Sequence, residues 1–197
     1  MTAKNTAAAG FVKRHVELAG TMPVMFDRYP GDNSTKLEGP QKLYLTVKGI
    51  VSLPSLNMIS FLSAHNTNSA PKRLRDKRKY KDIANACLSF VKIEPTDLLF
   101  LRDGEPIVFD RLGDDGRDRS SGVYLHYSVA RLDKGIPNPK VRPVLPLPWS
   151  LKFYLTLYHN NEIKEQEVRN LIEEGGHAIG IGTWRGVFGK FIIDRWD

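Results

Sequence analysis

Residues 150–158 alternate between two kinds of side chain. Leu151, Phe153, Leu155 and Leu157 share one face, and Lys152, Tyr154, Thr156 and Tyr158 share the other. A period of two is the mark of a strand with one face buried and one in water. Residues 123–131 repeat the pattern through Val123, Leu125, Tyr127 and Val129, and residues 14–19 do so through Val16 and Leu18. Residues 42–47 and 188–193 are further strand candidates. A chain written mainly in such strands predicts an antiparallel sheet.

Two helices punctuate it. Asn161 is placed to cap a helix running to about residue 174, with Val168, Leu171 and Ile172 on one face and Gly175 past its end. Pro54 sets the start of a second over 55–62, with Leu56, Ile59 and Leu62 facing the core and Met58 beside them. Residues 81–90 read equally as a third helix or as the entry to a strand. The expected fold class is α+β: a ferredoxin-like (RRM-like) antiparallel sheet with helices on one face and long loop or hairpin insertions. Three segments lack regular patterning, namely 66–81, 113–122 and 133–143. The last leads into Pro146 and Pro148 and is expected to be an extended connection. Residues 1–10 are expected to form a flexible arm. Residues 11–197 are expected to form one domain with insertions at about 66–81 and 113–122.

Charge narrows the partner. Among the 197 residues, 29 Lys and Arg against 22 Asp and Glu leave a formal net charge of +7. Seven cations and one anion fall within ten residues, in Lys72, Arg73, Arg75, Asp76, Lys77, Arg78, Lys79 and Lys81. Six such cations on single-stranded phosphates would give log K a slope of about −4 against log salt. The alternative is a solvated loop that keeps the chain soluble. Tyr80 offers one stacking ring within the run. A second basic patch comprises Arg131, Lys134, Lys140 and Arg142, around prolines that also serve to stiffen the connection. Trp149 is read as core or interface.

Near the C-terminal end, six glycines and Arg185 occupy fifteen residues, 175–189. Glycine is concentrated where the backbone needs positive φ or close approach. Main-chain N–H groups beside Arg185 and Lys190 suit a phosphate. The segment follows a helix and opens none, so neither the dinucleotide fingerprint nor the P-loop fits. The other reading is a tight turn that lets helix and sheet pack, with Trp184 and Phe188 folding back onto the core.

Other chemistry is thin. The five histidines, His15, His65, His126, His159 and His177, show no metal-ligand spacing, and Cys87 stands alone, so no zinc site and no internal disulfide is expected. His65, close to the basic run, is the one candidate base for RNA cleavage, against the plainer reading of a polar helix end. Asp110, Asp114, Asp115 and Asp118 lack an ordered calcium-ligand repeat and read as a flexible loop. No cofactor and no metal is expected. No apolar run reaches the roughly 18 residues that span a bilayer, and no signal-peptide pattern is seen, so a cytoplasmic protein without membrane contact is expected.

Val141-Arg142-Pro143, Trp149, the strand at 152–158, the helix at 165–174 and the closing Gly175–Phe191 stretch with its Phe188-Gly189-Lys190-Phe191 ending resemble the RAMP superfamily, the ferredoxin-like RNA-binding proteins of CRISPR effector complexes. Val16–Gly20, Met25-Phe26 and Leu53–Leu56 are similar to the first strand and helix of its backbone-type members. The resemblance is loose over most of the chain and specific over 141–191. It implies RNA binding on a sheet and a thumb-like excursion, with subunits often stacked head to tail along a guide RNA. It places Gly180, Gly182, Arg185, Gly186, Gly189 and Lys190 near the RNA backbone, with the basic insertion lining the same groove. The length is short for an effector-backbone subunit, and a compact solitary or phage-encoded relative fits equally.

The leading expectation is a non-enzymatic RNA-binding subunit that holds single-stranded, guide-like RNA by its phosphates and associates with copies of itself or other ribonucleoprotein subunits. The alternatives are a metal-independent endoribonuclease of the same superfamily and a phage structural or inhibitor protein that mimics an effector subunit. All of these depend on the glycine-rich loop and the basic run converging on one track.

Overall fold

The computed structural model describes residues 10–65, 68–110, 112, 122–131, 135 and 137–197. In chain order the elements are β1 (Phe11–Gly20), β2 (Val24–Met25), β3 (Ser52–Pro54), α1 (Ser55–Ser63), α2 (Ala70–Leu74), α3 (Tyr80–Phe90), β4 (Val91–Glu94), β5 (Asp97–Arg102), β6 (Glu105–Pro106), β7 (Tyr124–Arg131), β8 (Pro137–Leu145), β9 (Ser150–Tyr158), α4 (Glu165–Ala178) and β10 (Phe191–Trp196). The main sheet runs β10-β1-β9, and β9 continues to β4 at one end and to β5 at the other. All of these pairings are antiparallel. Taken as β1-α1-β4-β9-α4-β10, with spatial order β10-β1-β9-β4, the frame is a ferredoxin-like β-α-β-β-α-β unit. The fold is α+β.

The alternation read from residues 150–158 is the core-forming pattern. Leu151, Phe153, Leu155 and Leu157 are buried beneath α1 and α4, which contribute Met58, Phe61 and Leu62, and Val168, Leu171 and Ile172. Trp149 is buried too, edge-on to Phe100 at 5.5 Å, and its indole N–H donates to the Met22 carbonyl at 2.9 Å. The main chain of Gly20 runs against the Trp149 ring, where a Cβ would overlap it. Cys87 is a buried small hydrophobe, and burial pushes its thiol up to about 12, which disfavours the thiolate.

Several expectations need correction. Leu56 points into water at 71% exposure, because Phe61 sets the phase of α1 by packing on Phe191 at 5.8 Å. The helix expected to begin at Asn161 begins at Glu165. Asn160 first closes a turn by accepting from the N–H groups of Glu162 and Ile163, at 2.8 and 2.7 Å. That helix also runs on through Gly175 and Gly176, whose missing side chains admit Phe61 and Phe191. Residues 81–90 are helical, as α3. Residues 42–47 form no named strand but only an isolated antiparallel bridge, Leu45 with Val51, across a tight turn at 46–49 in which Gly49, at φ +73°, donates to the Thr46 carbonyl. The last strand begins at Phe191, three residues later than expected, because Phe188 and Gly189 belong to the preceding loop.

The supposed connection over 133–143 contains a strand. β8 pairs with β7 from Arg131↔Pro137 to Tyr124↔Val144, and with β2 at Val144 and Leu145, making a second, three-stranded sheet. Pro137, Pro139 and Pro143 occupy alternate positions. Their missing N–H groups therefore all fall on the side away from β7, so the β7–β8 ladder keeps its bonds, and at Pro143 the carbonyl on that far side accepts from Phe26 N–H at 3.0 Å. On β7, Tyr127 and Val129 are half exposed or more, so the face predicted to be core is open at that end.

The expected arm at 1–10 lies, apart from Gly10, outside the described residues, as does the excursion at 113–122 apart from Gly122.

Candidate nucleic-acid interface

The glycine-rich loop follows α4 and folds back on itself. Ile181 N–H donates to the Gly189 carbonyl at 2.9 Å, Gly189 N–H to Pro23 at 2.7 Å and Thr183 N–H to Met25 at 2.8 Å. Gly186 N–H closes on the Ile179 carbonyl at 2.5 Å. Most of these amides are thus committed to main-chain oxygens. The tight-turn reading accounts for three of the glycines. Gly180 and Gly189 face each other across backbone contact, and a Cβ on Gly182 would stand 2.5 Å from the Met25 carbonyl oxygen. Gly186, at φ +95°, opens onto free space.

At the tip, Trp184 takes φ +54° and remains 48% exposed, contrary to the expectation that it folds into the core. Phe188 does pack inward, with Met25, Tyr124 and Val144. Trp184 and Phe188 both approach His126 of β7 edge-on, at 5.9 and 5.6 Å. This junction between the loop and the β7–β8 hairpin had no signal in the sequence, where His126 was simply a strand residue.

Arg185 is the loop's charged centre. Its Nη1 donates to the main-chain oxygen of Asn68 at 2.8 Å, tying the loop to the segment that leads into the basic run. Ser60, Asn68, Gly182, Thr183, Trp184 and Arg185 line a shallow cleft of about 290 Å³ there. The guanidinium is half-buried and forms no ion pair among the described residues. Burial alone lowers its pKa. A partly desolvated cation with no carboxylate beside it among the described residues is able to receive an anion.

The basic run is better anchored than the sequence implied. Ser69 is fully buried and its side chain caps α2 by accepting from Lys72 N–H, while Ala70 and Pro71 are buried and Leu74 packs on the core. Arg75 leaves the run altogether. Its Nε pairs with Glu167 at 2.6 Å and its Nη1 with Glu174 at 2.8 Å, so it clamps α2 to α4. Those carboxylates raise the Arg75 pKa, and Arg75 holds Glu174 below the usual carboxylate range. Lys72, Arg73, Lys77, Arg78, Lys79 and Lys81 are exposed and form no ion pair among the described residues. Lys72 Nζ donates to the His65 carbonyl at 2.9 Å, and the His65 ring meets Tyr80 edge-on at 6.2 Å.

The second patch divides. Arg142 is neutralised by Asp27 at 2.7 Å, with Lys42 on the other carboxylate oxygen at 3.5 Å. Lys140 lines a separate groove of about 670 Å³ with Tyr29, Lys36 and Tyr127. Arg131 ends β7 opposite Pro137, and its side chain and Lys134 lie outside the described residues. Lys190 is half-buried, and its carbonyl accepts from Thr21 and Met22. Among the described residues no group of His, Cys, Asp or Glu is placed to hold a metal, and no helix is long and apolar enough to cross a membrane. Asp114, Asp115 and Asp118 lie outside the described residues.

No protein-family model matches the chain, and no curated protein matches it. Among solved structures, a chain from the cryo-EM structure of the Type III-B Cmr-beta bound to cognate target RNA superimposes with a TM-score of 0.56 at 10% identity. The match covers 95% of this chain and 60% of that one, so this chain spans about three fifths of the neighbour's length. At that identity the likeness is one of fold.

Proposed function

We propose that the protein is a RAMP-like, non-enzymatic RNA-binding subunit that grips single-stranded, guide-like RNA by its phosphates and assembles along it with copies of itself or other ribonucleoprotein subunits. Residues 11–197 act in this reading as one domain. The observation that carries it is Arg185, a half-buried guanidinium without a carboxylate partner among the described residues, fixed to Asn68 at the point where the glycine-rich loop meets the basic segment. Gly186 and Trp184 flank it at the surface, and the six exposed cations of 72–81 extend the positive track. Lys140 and Lys190 supply outlying charge. Gly180, Gly182 and Gly189 act by shaping the loop. The neighbour of like fold was imaged bound to cognate target RNA, which agrees with this assignment.

Size-exclusion chromatography with light scattering, before and after nuclease treatment, tests it. Co-purified RNA and a mass that falls on digestion are expected. A nucleic-acid-free species whose mass ignores nuclease, and which takes up no added oligonucleotide, would refute it.

A further inference from the structure

The main sheet turns one face to α1 and α4 and the other to water. Register fixes what the open face carries. Phe11 pairs with Tyr158, Lys13 with Thr156, His15 with Tyr154 and Glu17 with Lys152, while β4 sets Lys92 beside Thr156 and Glu94 beside Tyr154. Three rings stand in this row well exposed, Phe11 at 43%, Tyr154 at 47% and Tyr158 at 44%. They form two aromatic pairs, Phe11 with Tyr158 at 6.2 Å and His15 with Tyr154 at 5.3 Å. Four residues at about 3.4 Å each separate the two tyrosines by roughly 14 Å along β9.

Charge on this face is arranged around the rings. Lys92 pairs with Glu94 at 2.8 Å and Lys152 with Glu17 at 3.1 Å. Lys13 forms no ion pair among the described residues, and its ammonium lies 4.5 Å from the centre of the Tyr154 ring. The face thus combines exposed ring planes with Lys13, whose charge is felt by Glu94 but which makes no direct ion pair among the described residues.

We propose that this open sheet face is a stacking platform for unpaired bases of single-stranded RNA, with Phe11, Tyr154 and Tyr158 receiving the bases and Lys13 a neighbouring phosphate. The assignment rests on the RNA-binding reading and adds a second contact class to it. Rings on a sheet stack bases without regard to sequence, since every base has a π-face. A polyanion with planar bases is the occupant that matches both the rings and the ammonium of Lys13.

The test compares a uridine oligomer with an abasic ribose-phosphate oligomer of equal length. The protein should bind the uridine strand about tenfold or more tightly than the abasic one. Tyr154→Leu with Tyr158→Leu should abolish that preference and leave abasic binding unchanged, while Tyr154→Phe with Tyr158→Phe should retain it. Arg185→Ala should weaken both oligomers alike. On the unmodified protein, a 4-thiouridine oligomer should photocross-link to Phe11, Tyr154 or Tyr158. Equal wild-type affinity for the two oligomers, a preference that survives the leucine pair, or cross-links confined to other elements would overturn the platform alone. Failure of both oligomers to bind would overturn the RNA-binding reading and the platform with it.

Discussion

Arg185 donates to the main-chain oxygen of Asn68 across 117 positions of sequence, at 2.8 Å. That bond joins the glycine-rich loop to the segment that opens the basic run. Among the described residues one N–H of the five on the guanidinium is used. Arg185→Ala should lower RNA affinity about tenfold or more, the range for a charge-assisted hydrogen bond, and reduce the salt slope by about 0.7. Arg185→Lys should recover only part of the loss, because an ammonium cannot present a planar fork. Fluorescence anisotropy at several salt concentrations measures both effects.

Lys77, Arg78 and Lys79 are exposed and carry no carboxylate partner among the described residues. Reversing all three to Glu should weaken binding uniformly across RNA sequences and reduce the salt slope by about 2, since phosphate contacts carry no base code. Competition among oligomers of different sequence checks the uniformity.

Arg75 behaves differently from its neighbours. Its bonds to Glu167 and Glu174 make it a strut between α2 and α4. Arg75→Met should leave the salt slope of RNA binding in place and lower stability by about 1–2 kcal/mol, a value kept small because Glu174 is half exposed. Calorimetry of the melting transition reads this directly.

Acid should act through the same strut. Glu174 is held below its ordinary value chiefly by the Arg75 hydrogen bond, and Glu165 likewise by Arg14. A carboxylate with a depressed folded-state pKa contributes stability that is full above its unfolded value and is lost as pH falls through the folded one. The melting temperature should therefore fall as the solution is taken below about pH 4.3, the ordinary glutamate value. Glu174→Gln should flatten part of that fall.

The glycines separate by environment. At Gly182 a side chain meets the Met25 carbonyl and φ is +77°, whereas at Gly186 φ is +95° but the space is open. Gly182→Ala should cost about 3 kcal/mol or more, and Gly186→Ala about 1 kcal/mol from backbone strain. Thermal denaturation of the pair shows whether the loop is held by packing, as the geometry requires.

What the chain reveals unaided follows from how local the signal is. β9 was readable because its alternation matches its burial at every position but Thr156, which is buried on the face read as polar. α1 was placed correctly and phased wrongly, since Phe61 and Leu56 compete for the core and only the tertiary partner Phe191 decides between them. β8 was hidden by prolines whose missing N–H groups face away from β7 and so spare that ladder. In the site, the cations of 72–81 were visible as charge. Diversion of Arg75 to Glu167 and Glu174, and of Arg142 to Asp27, depends on residues 92 to 115 positions away. The sheet-face row of Tyr154 and Tyr158 was legible as a polar face, but its pairing with Phe11 and His15 needed the register.

The most direct test is a salt titration of single-stranded RNA binding by nuclease-treated protein. Seven contacts, Arg185 and the six exposed cations of the run, predict a slope of log K against log salt of about −5. That slope should become shallower on Arg185→Ala and on charge reversal of 77–79. No binding at about 50 mM salt, or a slope that neither change alters, would contradict the account.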